Sequence, residues 1–230
     1  MKTPHDPHGP LDAPGWDAID RALAEIYDDQ TPHQFTSKTA YELDSPSPLP
    51  AITVWARPEP KAWHFVTYGL SELFAKTSSD TQQSGLGYEL TLLLARAEQE
   101  DPHPPVWALR LLQGIGQHVL STRADFDTGQ ILNLGEGMVP GVSSPLQGMI
   151  CIPDPTLGKT STPNGSLLFL RMIGLTAAEM DVLSPLDVGP MVAAIAELSP
   201  QGLTDPARSC WSQDPARSRI LRRHKLGLRL

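Results

Sequence analysis

The sequence predicts an α+β fold: a single domain in which a mixed, largely antiparallel β-sheet is covered by helices. Three observations carry this. Two β-rich runs, Trp63 to Tyr68 and Tyr88 to Ala95, are punctuated by Gly69 and by Gly85 and Gly87. The elements read in the order α-β-β-β-α-β-β-β-α-α, which lacks the strict alternation of a doubly wound fold. Proline, at 23 of 230 residues, is twice its usual share of about 5%, which argues for many loops and extended segments.

Each element has its own signal. Residues 1–13 form a leader rich in Pro and His, expected to be disordered. Trp16, Ile19, Leu23 and Ile26 or Tyr27 follow helical spacing, so an amphipathic helix is expected over Asp17 to Tyr27. After the S-P-S-P-L-P linker, Ala51 to Ala56 reads as a strand. Trp63 to Tyr68 is apolar on both faces and reads as a buried strand ended by Gly69, with Ser71 to Phe74 as a single helical turn. In the next strand Tyr88, Leu90, Leu92 and Leu94 share one face. Val106 to Leu120 is a helix with Pro104 and Pro105 before it; Gly114 and Gly116 weaken it unless another element packs there closely. Ile131 to Leu134, Gly148 to Ile152 and Leu167 to Ile173 are further strands. Thr176 and Glu179 form a capping box that starts a short helix, and Gly189 to Leu198 is the last helix expected.

Charge divides the chain. The net charge is −8, yet from Asp205 onward seven basic residues face two acidic ones, about +5, which leaves about −13 for the rest. An acidic body argues against sequence-independent nucleic-acid binding, which needs phosphate-neutralising Lys and Arg, and suits a basic partner. Residues 210–230 form a basic C-terminal tail, expected either to fold back on the acidic body or to act as a nucleic-acid or membrane-surface arm. No run of about 18 apolar residues occurs, and the N-terminus lacks the apolar core of a signal peptide, so a cytoplasmic protein without a membrane span is expected. Cys151 and Cys210, without C-x-x-C spacing, fit a reducing compartment.

Candidate chemistry is sparse. Gly158-Lys159-Thr160 resembles the end of a phosphate loop, but the first glycine position is Pro153, so a turn between strands is the better reading. Gly85-Leu86-Gly87 lacks the third glycine of a dinucleotide fingerprint. His5, His8 and His33 make no closed metal set. His64, within an apolar strand, is expected as a hydrogen-bonded core or groove histidine, and no G-x-S-x-G elbow is present. Glu89 abuts a buried strand and is expected to hold backbone amides or an arginine such as Arg171. Asp154-Pro155 reads as a turn. No enzyme, metal or cofactor is expected; a polar pocket joining His64, Glu89 and Asp154 would revive catalysis.

The runs W-H-F-V-T-Y-G-L-S-E-L, S-G-L-G-Y-E-L-T and L-L-Q-G-I-G-Q-H-V resemble the Suppressor of fused (SUFU-like) domain family. Pro14-Gly15-Trp16, Met149 to Pro155, T-P-N-G before Leu167 to Ile173, and Leu203-Thr204-Asp205 follow in the family's order, so the resemblance covers residues 14–209. It implies a non-catalytic protein-binding module. Animal members of the family grip an extended peptide of a zinc-finger transcription factor as an added strand. Bacterial single-domain members are associated with polymorphic toxin systems as proposed immunity proteins. The family's peptide-contacting tyrosine and acidic positions fall at His118, Gln130 and Pro153, and with Asp154, tied to a family motif, these form the expected partner-binding set. Their replacement here points to a ligand other than the animal one. The expected partner is a protein or extended peptide, with a cognate toxin the most concrete case and a regulated or chaperoned endogenous protein the alternative; no specific nucleic acid is expected.

Overall fold

The computed structural model describes residues 12–28, 30–36, 48–96, 102–124, 126–136, 138–139 and 143–227. The first part of the leader, with His5 and His8, lies outside the described residues. Helix α1 (Pro14–Tyr27) begins with Pro in its first turn and turns Ala18, Ile19, Leu23 and Tyr27 inward. Strands β1 (His33–Thr36), β2 (Ala51–Arg57), β3 (Ala62–Tyr68) and β4 (Gln83–Ala95) follow as an antiparallel run. After α2 (Val106–Thr122) come β5 (Ile131–Asn133), β6 (Leu146–Pro153), β7 (Lys159–Thr162) and β8 (Gly165–Thr176). The chain ends in α3 (Ala177–Leu183), α4 (Val188–Leu198), β9 (Leu203–Thr204), a 3₁₀ turn (Trp211–Gln213) and α5 (Pro215–Lys225).

The strands form one sheet in the order β1-β2-β3-β4-β8-β6-β5, with β7 on β8 and β9 on β4. Among the described residues, only β4 with β8 and β4 with β9 are parallel. This is the α+β, mixed and largely antiparallel sheet expected, and its central junction is the β4–β8 pair. A parallel pair needs a long connection; here it includes α2 and three strands.

Strand alternation sorts the core into two faces. On one, Val54, Phe65, Leu90, Leu92, Leu170 and Met172 pack against Leu109, Leu112 and Val119 of α2. On the other, Val66, Tyr68 and Phe169 meet Ile19 and Leu23 of α1. Further along that face Ile150, Ile152, Ile173 and Leu175 meet α3 and α4, together with Trp211 and Leu221 from residues 210–225. The segment read as a basic tail therefore contributes two buried side chains to the third cluster.

The short strands β1, β7 and β9 differ from expectation. H-Q-F-T, K-T-S-T and L-T carry too little apolar periodicity to be read, and only pairing to a longer neighbour makes them strands. Gly158 lies in the turn between β6 and β7, at φ +56°, so G-K-T is a turn and strand start, and β7 pairs with β8 rather than with β6. Ser71 to Phe74 is not a helical turn: the Ser71 amide donates to the Glu89 carboxylate and the Glu72 amide to the Ser84 hydroxyl. The two α2 glycines separate cleanly. A Cβ on Gly116 would meet the Leu49 side chain at 2.7 Å, whereas one on Gly114 meets nothing within 4 Å.

That difference gives opposite outcomes in denaturant unfolding. Gly114→Ala should stabilise by about 0.5–1 kcal/mol through helix propensity. Gly116→Val should destabilise by about 1–3 kcal/mol, because the buried Leu49 must leave its place. Equal shifts in the two midpoints would contradict the packing.

Candidate partner-binding groove and the polar network behind it

The larger of the described cavities, of about 580 Å³, lies between α2 and the β5 edge. From α2 it is lined by Arg110, Leu111, Gly114, Ile115 and His118, residues spaced three or four apart that form one stripe. The opposite wall includes Phe126, Gln130, Leu132 and Leu134. The lining is mainly apolar with a few polar groups at its rim, the usual make-up of a recognition groove.

Among the described residues, strand β5 is the last strand on this side of the sheet. The Leu134 amide donates to the Gln147 carbonyl, and the Gln130 carbonyl accepts from the Cys151 amide. Alternate residues therefore turn toward β6, and the backbone groups of Ile131 and Asn133 turn outward. An extended segment laid along this edge would find backbone partners and send alternate side chains toward the cavity.

Two of the four sequence-predicted site residues meet here. His118 is exposed on α2, and Gln130 is half-buried, with its Oε1 3.3 Å from the Asp127 amide. Pro153 and Asp154 do not join them. Pro153 ends β6 opposite Leu170, and Asp154, 2% exposed, faces the other side of the sheet. The expected set thus spans two places: a groove and a buried network.

Asp154 is the acceptor at the centre of that network. Its Oδ2 takes Arg171 Nη2 at 2.6 Å, Arg171 Nε at 3.0 Å and the Thr91 hydroxyl at 2.5 Å. Its Oδ1 caps the following turn through the amides of Thr156 and Leu157, at 2.8 and 3.0 Å. Arg171 also donates from Nη2 to His64 Nε2 at 3.2 Å and from Nη1 to the Gln201 carbonyl at 3.4 Å. A guanidinium only donates, so Nε2 accepts and the His64 proton sits on Nδ1, 2.6 Å from the Tyr27 hydroxyl. Burial alone would raise the Asp154 carboxyl, but the Arg171 charge and the Thr91 hydroxyl outweigh it and hold it well below the usual carboxylate range. Burial, aided by the Arg171 charge, lowers His64 to about 4, so it is neutral.

Glu89 does the first of the two tasks expected of it and not the second. Its Oε1 accepts the amides of Gly69, Leu70 and Ser71 at 2.9, 3.1 and 2.9 Å and the Ser71 hydroxyl at 2.7 Å; Oε2 accepts from Thr67 at 2.7 Å. Burial raises this carboxyl, and the hydrogen bonds from Ser71, Gly69 and Thr67 oppose the rise. Gly69 makes the arrangement possible, with φ +120° and no room for a Cβ, which would lie 2.3 Å from the Pro50 ring. Arg171 serves Asp154 instead. His64 and Asp154 approach to 3.7 Å, but they and Glu89 are almost fully buried and line none of the described cavities. Among the described residues no group of three or more His, Cys, Asp or Glu could hold a metal ion. No helix among them is long and apolar enough to cross a membrane.

Sequence reasoning missed Arg110, Leu111, Gly114, Leu132 and Leu134 as groove residues. The α2 stripe was readable as a 3.6-residue period; that it faces a sheet edge was not.

The buried network imposes a pH dependence. His64 binds a proton near pH 6.5 when unfolded but only near 4 when folded, so protons favour the unfolded chain between those values. Stability should fall as pH drops from about 6.5 to about 4, by at most about 3 kcal/mol. The loss linked to Asp154 begins lower, below its ordinary value of 3.8. Unfolding free energy measured against pH should show this slope in the wild type and lose it in His64→Gln; parallel profiles would refute the assignment.

Known proteins share both sequence and architecture with this chain. The sequence model of the Suppressor of fused protein (SUFU) family matches residues 45–209. The human Suppressor of fused homolog is 31% identical over 179 residues, which cover 72% of this chain and 36% of the human protein; the chain thus spans about a third of that relative's length. A chain in the crystal structure of the Sufu-Fu complex is similar with TM-score 0.79 at 26% identity, covering 91% of this chain and 98% of that one. A SUFU homolog from Neisseria gonorrhoeae shares the fold at TM-score 0.55 and 16% identity, over 85% of this chain and 96% of that one. With the family model, the sequence identity and the overall fold in agreement, the chain belongs to the Suppressor of fused (SUFU) family.

Proposed function

We propose that this chain is a non-catalytic protein-binding module that receives an extended segment of its partner in the groove between α2 and the β5 edge. The single observation that carries the reading is that groove, a cavity of about 580 Å³ beside a strand with outward backbone groups. His118 and Gln130 at its wall set the polar contacts, and the buried Asp154 and the neighbouring Pro153 hold the sheet that presents it. Strand addition draws affinity from main-chain hydrogen bonds and selectivity from side-chain pockets.

The most concrete partner is a cognate toxin, with the chain acting as its cytoplasmic immunity protein. Family membership supports binding, and the acidic body, about −13 before the C-terminal segment, suits a basic toxin surface. A second reading, an adaptor or chaperone for an endogenous protein, draws on the same outward-facing β5 backbone, which suits an extended segment of matching pattern.

Gly114 offers a test that spares the fold. Its position is exposed and open, so Gly114→Phe should fill the groove while leaving the thermal midpoint unchanged or raised. Co-expression with the toxin encoded beside it should rescue growth for the wild type and not for Gly114→Phe. Equal rescue by both would reject the groove, and no rescue with any neighbouring toxin would reject immunity. Groove-dependent copurification of one stable endogenous protein would then favour the adaptor.

A further inference from the structure

Helix α5 lies beyond the residues matched to the family, 45–209, and carries a charge pattern that the fold does not use. Asp214 caps its N-terminus, accepting from the amides of Ala216 and Arg217, and Leu221 anchors its inner face in the third apolar cluster. Two of its charged groups are engaged: Arg223 and His224 both pair with Glu197 of α4. Arg217, Arg219, Arg222 and Lys225 are exposed, and among the described residues none of the four makes an ion pair or a side-chain hydrogen bond.

Helix electrostatics do not account for them all. Cations in the last turn complement the helix C-terminus, which serves Arg222 and Lys225. Arg217 stands in the first turn, where the dipole disfavours positive charge, and Arg219, Arg222 and Lys225 repeat at i, i+3 and i+6 as like-charge neighbours. Leu226, 69% exposed, follows on the same side as Arg219 and Arg222. The strip from Arg219 to Leu226 is about 10 Å long.

We propose that this strip is a second docking surface, separate from the α2 groove, for a short acidic protein segment: two carboxylates facing Arg219 and Arg222 and an apolar side chain against Leu226. About four extended residues span the strip. Charge complementarity selects the occupant. A nucleic acid duplex carries phosphates continuously along its length, and it would run past α5 onto the acidic residues of a body of about −13. A short acidic segment ends before reaching them. The groove lies against α2 on the opposite face of the sheet from α5, so the two surfaces can be occupied at once.

The test uses the full chain and a dye-labelled peptide, Gly-Ser-Glu-Glu-Gly-Leu-Gly-Ser, with its counterpart carrying Lys for Glu, in fluorescence anisotropy at low salt. The Glu peptide should bind at least about tenfold more tightly than the Lys peptide and weaken as salt rises. Arg219→Gln with Arg222→Gln should abolish that preference without moving the thermal midpoint, since both side chains are exposed. R219E with R222E should reverse it, and Gly114→Phe should leave it intact. The proposal is overturned by equal binding of the two peptides or by a preference that survives R219Q with R222Q. It is also overturned by loss of the preference in Gly114→Phe. Displacement of the Glu peptide by a duplex of about 20 base pairs or by phosphatidylserine vesicles at comparable charge concentration would replace it with a nucleic-acid or membrane surface.

Discussion

Arg171 and Asp154 form an ion pair with both side chains fully shielded from solvent, and the layout of the sheet depends on their meeting. Taking two charges out of water costs several kcal/mol per ion, which an ion pair offsets only when the remaining donors and acceptors are also satisfied. Thr91, His64 and the Gln201 carbonyl supply that satisfaction, along with the amides of Thr156 and Leu157. Those partners come from β4, β3, the turn after β6 and the loop before β9. A one-residue slip of β6 along β8 would turn every side chain on β6 to the opposite face and leave the Arg171 charge buried without its acceptor. The pair therefore penalises wrong registers more sharply than apolar contact alone could.

The network also divides the molecule functionally. It occupies the face that carries α1, α3, α4 and α5, between two apolar clusters. The other face is given to α2, whose outer stripe continues past the sheet edge and forms the groove with β5. Most groups with an acid–base look, His64, Asp154 and Glu89, are spent on holding the strands and the loop after β3. His118, exposed, and Gln130, half-buried, on one side and the exposed α5 arginines on the other take no part in that network. A C-terminal clamp completes the design: Arg208 grips Glu179 at 2.6 and 2.7 Å and covers the Trp211 ring at 4.1 Å, which fastens the start of the basic segment to α3.

Much of this was legible before any coordinates. The long apolar strands, the amphipathic α1, the Thr176–Glu179 capping box and the amide-binding role of Glu89 each rest on local signals: period, cap chemistry, or a carboxylate next to turn amides. The missed pieces share a physical cause. H-Q-F-T, K-T-S-T and L-T have no pattern of their own and become strands only because a neighbour offers a ladder. Nothing local to Ser71–Phe74 shows that Glu89 takes the Ser71 amide and Ser84 the Glu72 amide, which denies the segment a helical turn. Arg171 was offered to Glu89, its neighbour two strand positions away across the β4–β8 pair. Its partner was decided by the β6–β7 turn, whose path the local pattern does not carry.

The sequence by itself determined the fold class and the family, because periodicity, glycine and cap positions and the order of motifs are local properties written along one dimension. It also marked His118, Gln130, Pro153 and Asp154 as positions of interest. Only the tertiary structure decided that the first two line a groove while Asp154 is sealed behind the sheet, since exposure depends on which strands become neighbours. The same is true of α5: its cations are visible in the sequence, but which of them Glu197 neutralises, and which remain outward, is settled by how Leu221 docks the helix.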